Sequence, residues 1–431
     1  MSEKGVSYMH YVIIGNSAAA IGAVEGIRKV DKEGRITILS DEPYHTYSRP
    51  LISYYLASKV DEDKIIYREL NFYQRNNVET RLGCKVIWVD CYNNEVILES
   101  QERIRYGRLL IAAGGKPFIP PTEGLGKREI YTFLKLDDVK AIKNVCTSGA
   151  RAVIIGAGLI GLKAAEALRK LQVEVTVVEL ANRVLSAILD ETAADIVQKR
   201  LEEHQVSFRL NTSVSSFNGD EKVSSVTLNN GSVIECDFVI IAIGVVPNTG
   251  MLKDTPVNVN RGIVVDSYMR TNIENVYAAG DVCESYDTLY NVQRVIPILP
   301  GAYKQGEAAG QNMAGGEVEY EGGFAMNSIG FFDLPMITAG IGRPEGEGFE
   351  ILEKRDGQSG SYKKMVFKDS RVVGFIYLND IDRAGIMTNL IKEKIDVSQF
   401  MNEILKNDFG YINFPKDYRK QKMLGQKVVS T

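Results

Sequence analysis

One pattern occurs twice in this chain, and it limits the available folds more than any other feature: an apolar strand, a Gly-rich turn, a helix of small residues, and a second apolar strand followed by an acid. The first copy runs from Tyr11-Val12-Ile13-Ile14 through Gly15 and an Ala-rich stretch to Ile36-Thr37-Ile38-Leu39. The second runs from Ala152-Val153-Ile154-Ile155 through Gly156 to Val175-Thr176-Val177-Val178. Each predicts a βαβ unit of the kind that holds a dinucleotide. The expected fold class is α/β, with two Rossmann-like three-layer nucleotide-binding domains.

The second turn reads Gly156-Ala157-Gly158-Leu159-Ile160-Gly161, a full G-x-G-x-x-G between a strand and a helix. Gly156 makes the tight turn, Gly158 lets backbone approach a pyrophosphate, and Gly161 permits close helix packing. The helix N-terminus, opening with Leu159 and Ile160, presents its positive dipole end to the phosphates. Glu179 closes the next strand where an acid accepts hydrogen bonds from ribose hydroxyls, and its charge would repel a 2'-phosphate. The turn is therefore expected to take NAD(H) in preference to NADP(H), with nearby Arg183 tempering that preference.

The first turn, Gly15-Asn16-Ser17-Ala18-Ala19-Ala20, departs from the fingerprint, with Ser17 and Ala20 in place of Gly. Small side chains still admit close backbone approach, and Asp41 beyond the strand can serve a ribose, with Glu42 as the alternative.

Shorter alternating runs at 85–90 with 95–98, and at 223–228 with 232–234, read as antiparallel strands joined by turns at Asn93-Asn94 and Asn230-Gly231. From about Glu321 the texture changes to Gly-rich loops, strands near 362–367 and 372–378, and a helical pattern from Asp382 through Leu405, which together predict a C-terminal α+β domain. The tail from Tyr411 is basic and contains Pro, and an extended arm is expected there.

With 431 residues, 45% of them hydrophobic, the chain can bury several cores, and a net charge of −4 without basic clusters gives no footprint for nucleic acid or a membrane surface. The apolar runs at 152–162 and 238–246 are too short for membrane insertion, and the polar start at Met1–Met9 carries no signal peptide, so a cytoplasmic location is expected. Cys84, Cys91, Cys146, Cys236 and Cys283 have neither disulfide nor metal spacing, and His10, His45 and His204 lack ligand partners, so no metal site is expected.

A third element, Asn275-Val276-Tyr277-Ala278-Ala279-Gly280-Asp281, resembles the A-G-D segment of the glutathione-reductase-type FAD/NAD(P) oxidoreductases. Leu110-Ile111-Ala112-Ala113-Gly114-Gly115 and Ile241-Ala242-Ile243-Gly244-Val245-Val246-Pro247-Asn248-Thr249 are similar to that family's two chain crossings between FAD and NAD domains. The resemblance is strong over residues 10 to 320 and weaker to about 400. It implies a discontinuous FAD domain at 1–118 and 241–320, an NAD domain at 119–240, and an interface domain at 321–431. FAD is expected at Gly15, Ser17, Ala18, Ala19, Asp41, Arg49, Ala113, Gly114, Gly280, Asp281, Pro300 and Gly301. NAD(H) is expected at Gly156, Gly158, Leu159, Ile160, Gly161, Glu179 and Gly244. Asp281 would hold the FAD ribitol, and the helix begun by Pro300 and Gly301 would point its N-terminus at the flavin.

The segment Tyr47-Ser48-Arg49-Pro50-Leu51-Ile52-Ser53 resembles NADH:rubredoxin reductases, the flavin part of NADH nitrite reductases, and NADH-linked flavin subunits of larger complexes. Arg49 would reach the FAD pyrophosphate as a bidentate donor. The redox-active cysteine motifs of the thiol-using members are missing, so Cys84 and Cys91, on the small antiparallel strands, are expected to be inert packing residues. Lys163 stands where many relatives have Glu, and a cation there is expected to tune the flavin. The function implied is hydride exchange between nicotinamide and flavin, with electrons passing to or from an iron-sulfur or rubredoxin-like protein or partner subunit, within a possible hetero-oligomeric complex. An NADH oxidase and a redox-sensing flavoprotein are the alternatives. Lys363, Lys364, Arg419, Lys420 and Lys422 are the expected docking surface for an acidic carrier.

Overall fold

Each repeated segment sits at the heart of a five-stranded parallel sheet in the computed structural model, which describes residues 9–406 and 408–424. The expectation about a leader falls on residues 1–8 and lies outside them. The chain forms two units, one of residues up to 118 with 134–139 and 244–324, the other of 119–133, 140–243 and 325 onward.

In the first unit the strand His10–Ile14 is central, flanked by Arg35–Ser40 and Arg108–Ile111, with Val78–Leu82 and Val276–Ala278 at the edges. Ile13 pairs with Ile38 on one side and Leu110 on the other, and all three are fully buried. Unbroken apolar sequence is what a strand covered on both faces requires. The helices Ala18–Val30 and Leu299–Met313 pack together through glycines. A Cβ on Gly306 would stand 1.9 Å from the Ala19 carbonyl oxygen, and one on Gly22 would stand 2.2 Å from that of Tyr303. The "Ala-rich stretch" is thus a contact surface between two backbones, and any larger side chain would separate them. A small meander of Val86–Asp90, Glu95–Leu98 and Arg103–Arg105 belongs to this unit, with Asn94 at the expected turn in a left-handed conformation.

In the second unit Arg151–Ile155 is central, between Glu174–Val178 and Phe238–Ile241, with Val206–Arg209 and Ile130–Thr132 outermost. The expected Asn230-Gly231 turn joins Ser225–Leu228 to Val233–Glu235. The C-terminal residues form an antiparallel sheet in the order Met326–Phe331, Leu334–Gly340, Arg371–Leu378, Ser361–Lys368, Glu350–Asp356, with the helix Ala384–Lys392 packed on it.

Two expectations are corrected here. The helical pattern to Leu405 stops at Lys392, because Lys394 turns left-handed (φ 49°) and the N–H groups of Lys394 and Ile395 close back on the carbonyls of Ile391 and Leu390. That is a Schellman closure with Lys where Gly is usual. The tail is not an extended arm: Lys416–Met423 is a helix, and Phe414 and Tyr418 bury themselves in a stack with Phe400 and Phe409. Burial of these rings outweighs the basic composition that suggested an extended arm.

Candidate functional site: two dinucleotide turns

In the second turn, Gly156 takes φ 106° and a Cβ there would lie 2.5 Å from the Ala242 carbonyl oxygen, so neither the conformation nor the space admits another residue. A Cβ on Gly161 would meet the Gly156 carbonyl oxygen at 2.1 Å. Gly158 differs in kind, since nothing lies within 4 Å of the position its Cβ would occupy. It is the N-cap of the helix Leu159–Lys170, with no side chain satisfying the helix's first N–H groups. Open space beside uncapped donors, including those of the Leu159-Ile160-Gly161 turn, suits a pyrophosphate. Glu179 accepts hydrogen bonds from the Ala157 N–H at 2.7 Å and the Ala181 N–H at 2.8 Å. Both carboxylate oxygens are thereby oriented, and each keeps a lone pair for a ribose hydroxyl. Arg183 is occupied with Asn182 Oδ1 at 2.9 Å.

The first turn repeats this geometry with smaller margins. Gly15 takes φ 115°, and a Cβ there would lie 2.2 Å from the Ala112 carbonyl oxygen. Ser17 caps the helix Ala18–Val30 without spending its hydroxyl on a backbone N–H, and Ala18 and Ala19 are buried in the first turn. Gly280 comes against Ala19, with a hypothetical Cβ 3.2 Å from that methyl, so the A-G-D segment and the first turn are neighbours. Burial pushes the Asp281 carboxyl up to about 6, while Arg49 pulls the other way. A recessed carboxyl of this kind gains from hydroxyl donors such as those of a ribitol. Ala113 and Gly114 follow the strand Arg108–Ile111, and Gly114 accepts from the Asn248 N–H at 2.9 Å. Pro300 and Gly301 open the helix Leu299–Met313, whose N-terminus also lacks a side-chain cap. Gly244, expected at NAD, lies in the first unit, where its carbonyl accepts from Phe118 N–H at 3.0 Å.

The two acids after the first unit's second strand have separate surroundings. Asp41 is exposed and pairs with Lys135 at 2.6 Å. Glu42 is buried and accepts from Tyr47 Oη and from Arg49 Nη2, both at 2.5 Å. Arg49 also donates to the Leu134 carbonyl at 3.0 Å, so the guanidinium expected at the pyrophosphate is held in place by a buried carboxylate. Sequence reasoning missed Gln305. It is 2% exposed, accepts from Gly280 N–H at 2.7 Å and donates to Ser285 Oγ at 3.0 Å. An amide set among the Gly and Ala residues of the helix's buried face was the available signal.

Lys163 is engaged by Glu166, which also binds Lys170, and by the Gly330 carbonyl at 3.1 Å. Its positive charge is therefore shared with a carboxylate. The docking role expected of Lys363 and Lys364 is corrected: both are buried, paired with Asp380 at 2.7 Å and Asp190 at 2.8 Å, because their strand faces a core rather than solvent. Lys420 is exposed, Arg419 donates to the Phe414 carbonyl, and the side chain of Lys422 lies outside the described residues. All five cysteines are unpaired. Cys84 and Cys91 lie in the connections beside the meander strands rather than on them. Burial raises the Cys146 thiol to about 11 and the Cys236 thiol to about 12, and lifts Cys91 and Cys283 as well. Among the described residues no helix is long and apolar enough to cross a membrane, and no cluster of His, Cys, Asp or Glu could hold a metal ion.

Comparison with known proteins agrees with this geometry. Residues 9–306 match the family of pyridine nucleotide-disulphide oxidoreductases, and residues 326–395 match the rubredoxin NAD+ reductase C-terminal domain. The chain is 30% identical to NADH-dependent phenylglyoxylate dehydrogenase subunit epsilon of Aromatoleum evansii, over 94% of this chain and 96% of that one. It is 32% identical to nitrite reductase [NAD(P)H] of Bacillus subtilis over 90% of its own length, but spans about half (48%) of that protein. An NAD-dependent persulfide reductase from A. fulgidus superposes with a TM-score of 0.85 at 26% identity, over 97% of this chain and 84% of that one. The chain belongs to the pyridine nucleotide-disulphide oxidoreductase family.

Proposed function

We propose that this chain is the flavin-bearing electron-transfer component of an NAD(H):acceptor oxidoreductase, with an iron-sulfur or rubredoxin-like protein or subunit as its other partner. The observation that carries the proposal is the pairing of two dinucleotide turns in one chain with five unpaired cysteines, of which burial raises the thiols of Cys91, Cys146, Cys236 and Cys283 and so opposes their ionisation. A disulfide relay needs an accessible thiolate, which burial opposes. Bound FAD supplies the chemistry that exchanges an electron pair with nicotinamide and releases electrons singly. The chain's own residues bind and orient.

In this reading, residues 1–118 and 241–320 hold FAD, residues 119–240 hold NAD(H), and 321–431 form the interface domain. Gly15, Ser17, Ala18, Ala19, Ala113, Gly114, Pro300 and Gly301 admit the FAD, while Asp281 and Arg49 fix its ribitol and pyrophosphate and Asp41 takes the ribose. Gly156, Gly158, Leu159, Ile160 and Gly161 receive the NAD pyrophosphate, Glu179 the adenosine ribose, and Gly244, at the chain crossing, also contributes to the NAD(H) site. Lys163 belongs to the proposal as a flavin-tuning cation, tested by the midpoint potential of K163A. The match of residues 326–395 to a rubredoxin NAD+ reductase domain supports the acceptor class, and the relative described as a subunit supports a hetero-oligomeric assembly. Five unpaired thiols support a reducing, cytoplasmic location.

Anaerobic stopped-flow with NADH tests the reading, followed by mixing with oxidised rubredoxin. Rapid bleaching of the flavin and its return on adding rubredoxin are expected, both insensitive to thiol alkylation. Reoxidation by oxygen faster than by any protein carrier would establish the NADH oxidase instead. Absence of bleaching by NADH would end the proposal.

A further inference from the structure

The loop between Glu179 and Asp190 lies directly on the second dinucleotide turn. Ala157 donates its N–H to Glu179 at 2.7 Å, and its carbonyl accepts from the Leu185 N–H at 2.9 Å, with Leu185 itself held at φ 50°. A displacement of this loop therefore moves both the ribose-binding acid and the pyrophosphate turn. The other side of the loop is fastened by the C-terminal sheet and the segment beside it. The Arg343 guanidinium donates to the Ser186 carbonyl. Asp190, which caps the helix Glu191–Glu203 through the Ala193 N–H at 2.9 Å, accepts from Tyr362 Oη at 2.9 Å and Lys364 Nζ at 2.8 Å. Tyr362 and Lys364 are 1% and 6% exposed.

A second anchor lies at the sheet's first hairpin. Phe332 is held at φ 56°, a conformation aromatic residues rarely adopt, while its ring stacks on His204 at 3.7 Å and lies beneath the Lys170 ammonium at 5.3 Å. Asp333, next in the turn, pairs with Arg200. A strained residue persists when its surroundings over-determine it, so this hairpin is seated firmly on the two helices that flank the loop.

We propose that the C-terminal sheet is a working part of the NAD(H) site, with Arg343, Tyr362 and Lys364 as positioning residues that hold the 180–190 loop against the dinucleotide turn. Nicotinamide nucleotide affinity then depends on residues of the interface domain that touch no nucleotide. A carrier protein that strains this sheet on docking would change NAD(H) affinity, and NAD(H) would change carrier affinity by the same factor. The inference rests on the assignment of NAD(H) to the Gly156–Gly161 turn.

The test uses full-length holoenzyme with Y362F, R343A and R343K, ferricyanide as acceptor, and ADP-ribose as a probe of the adenosine half of the site. Y362F and R343A are expected to raise the KM for NADH and the ADP-ribose inhibition constant in parallel, by roughly tenfold, while kcat changes less than about twofold. FAD content should stay at the wild-type ratio, and R343K should recover part of the loss. Y362F removes a single hydroxyl, so it keeps the test open if R343A fails to fold. Unchanged KM and inhibition constants in a folded, FAD-replete Y362F, whatever its melting temperature, would overturn the proposal by showing a purely structural role. Failure of the NAD(H) assignment itself would look different, because wild-type enzyme would then show no inhibition by ADP-ribose.

Discussion

The carboxylate of Glu179 is tied to the backbone N–H of Ala157 at 2.7 Å, so the acid proposed to select the ribose and the turn proposed to receive the pyrophosphate are one hydrogen-bonded unit. Glu179→Ala removes both the ribose acceptor and the charge that repels a 2'-phosphate. NADH is expected to lose roughly tenfold in kcat/KM while NADPH gains or stays level. Steady-state kinetics with the two nucleotides check this, and an unchanged preference would remove Glu179 from the site.

Two glycines of the same turn should respond in opposite ways. In Gly161→Ala the new methyl meets the Gly156 carbonyl at 2.1 Å, and a loss of about 1–3 kcal/mol of stability is expected. In Gly158→Ala the methyl enters open space, so the melting temperature should hold while the KM for NADH rises roughly tenfold. Thermal denaturation beside NADH kinetics separates the two.

Asp281 gives a pH dependence whose sign can be worked out. Its folded pKa, about 6, lies above the ordinary 3.8, so the folded apoprotein binds the proton more tightly than the unfolded chain. The stability it contributes is present at low pH and is lost as pH rises from about 4 to about 6, by at most about 3 kcal/mol. Subtracting the Asp281→Asn profile from that of wild-type apoprotein should isolate this slope, and identical profiles would show that the carboxyl is not strained by burial.

The buried carboxylate of Glu42 anchors Arg49 and Tyr47. Glu42→Gln keeps the shape and removes the charge, and because the Arg49 side chain is about a third exposed to water the cost is expected at about 1–2 kcal/mol. The FAD dissociation constant, read by fluorescence of released flavin, should rise with it. Full retention of FAD would mean that Arg49 needs no such anchor.

Both sheets' central strands were legible as apolar runs, because a strand covered on two faces has no place for a polar side chain. Gly156, Gly161 and Gly15 were legible for an equally local reason, since close backbone approach excludes a Cβ whatever surrounds it. Lys363 and Lys364 were misread because two adjacent lysines look solvated until the acids that bury them, Asp380 and Asp190, are seen. The tail was misread in the same way: its basic residues are crowded within a few positions of sequence, but Phe400 and Phe409, on which Phe414 packs, lie outside the tail.

Short-range periodicity and steric exclusion are properties of neighbouring residues, so the sequence by itself determined the two dinucleotide folds, their turns and the acid at Glu179. Tertiary structure alone decided that Glu42 rather than Asp41 holds Arg49, that Gln305 bonds the Gly280 amide, and that the C-terminal sheet fastens the loop after Glu179. Those pairings join residues from 7 to 174 positions apart, and a buried charge or amide takes whichever partner the packing brings within reach.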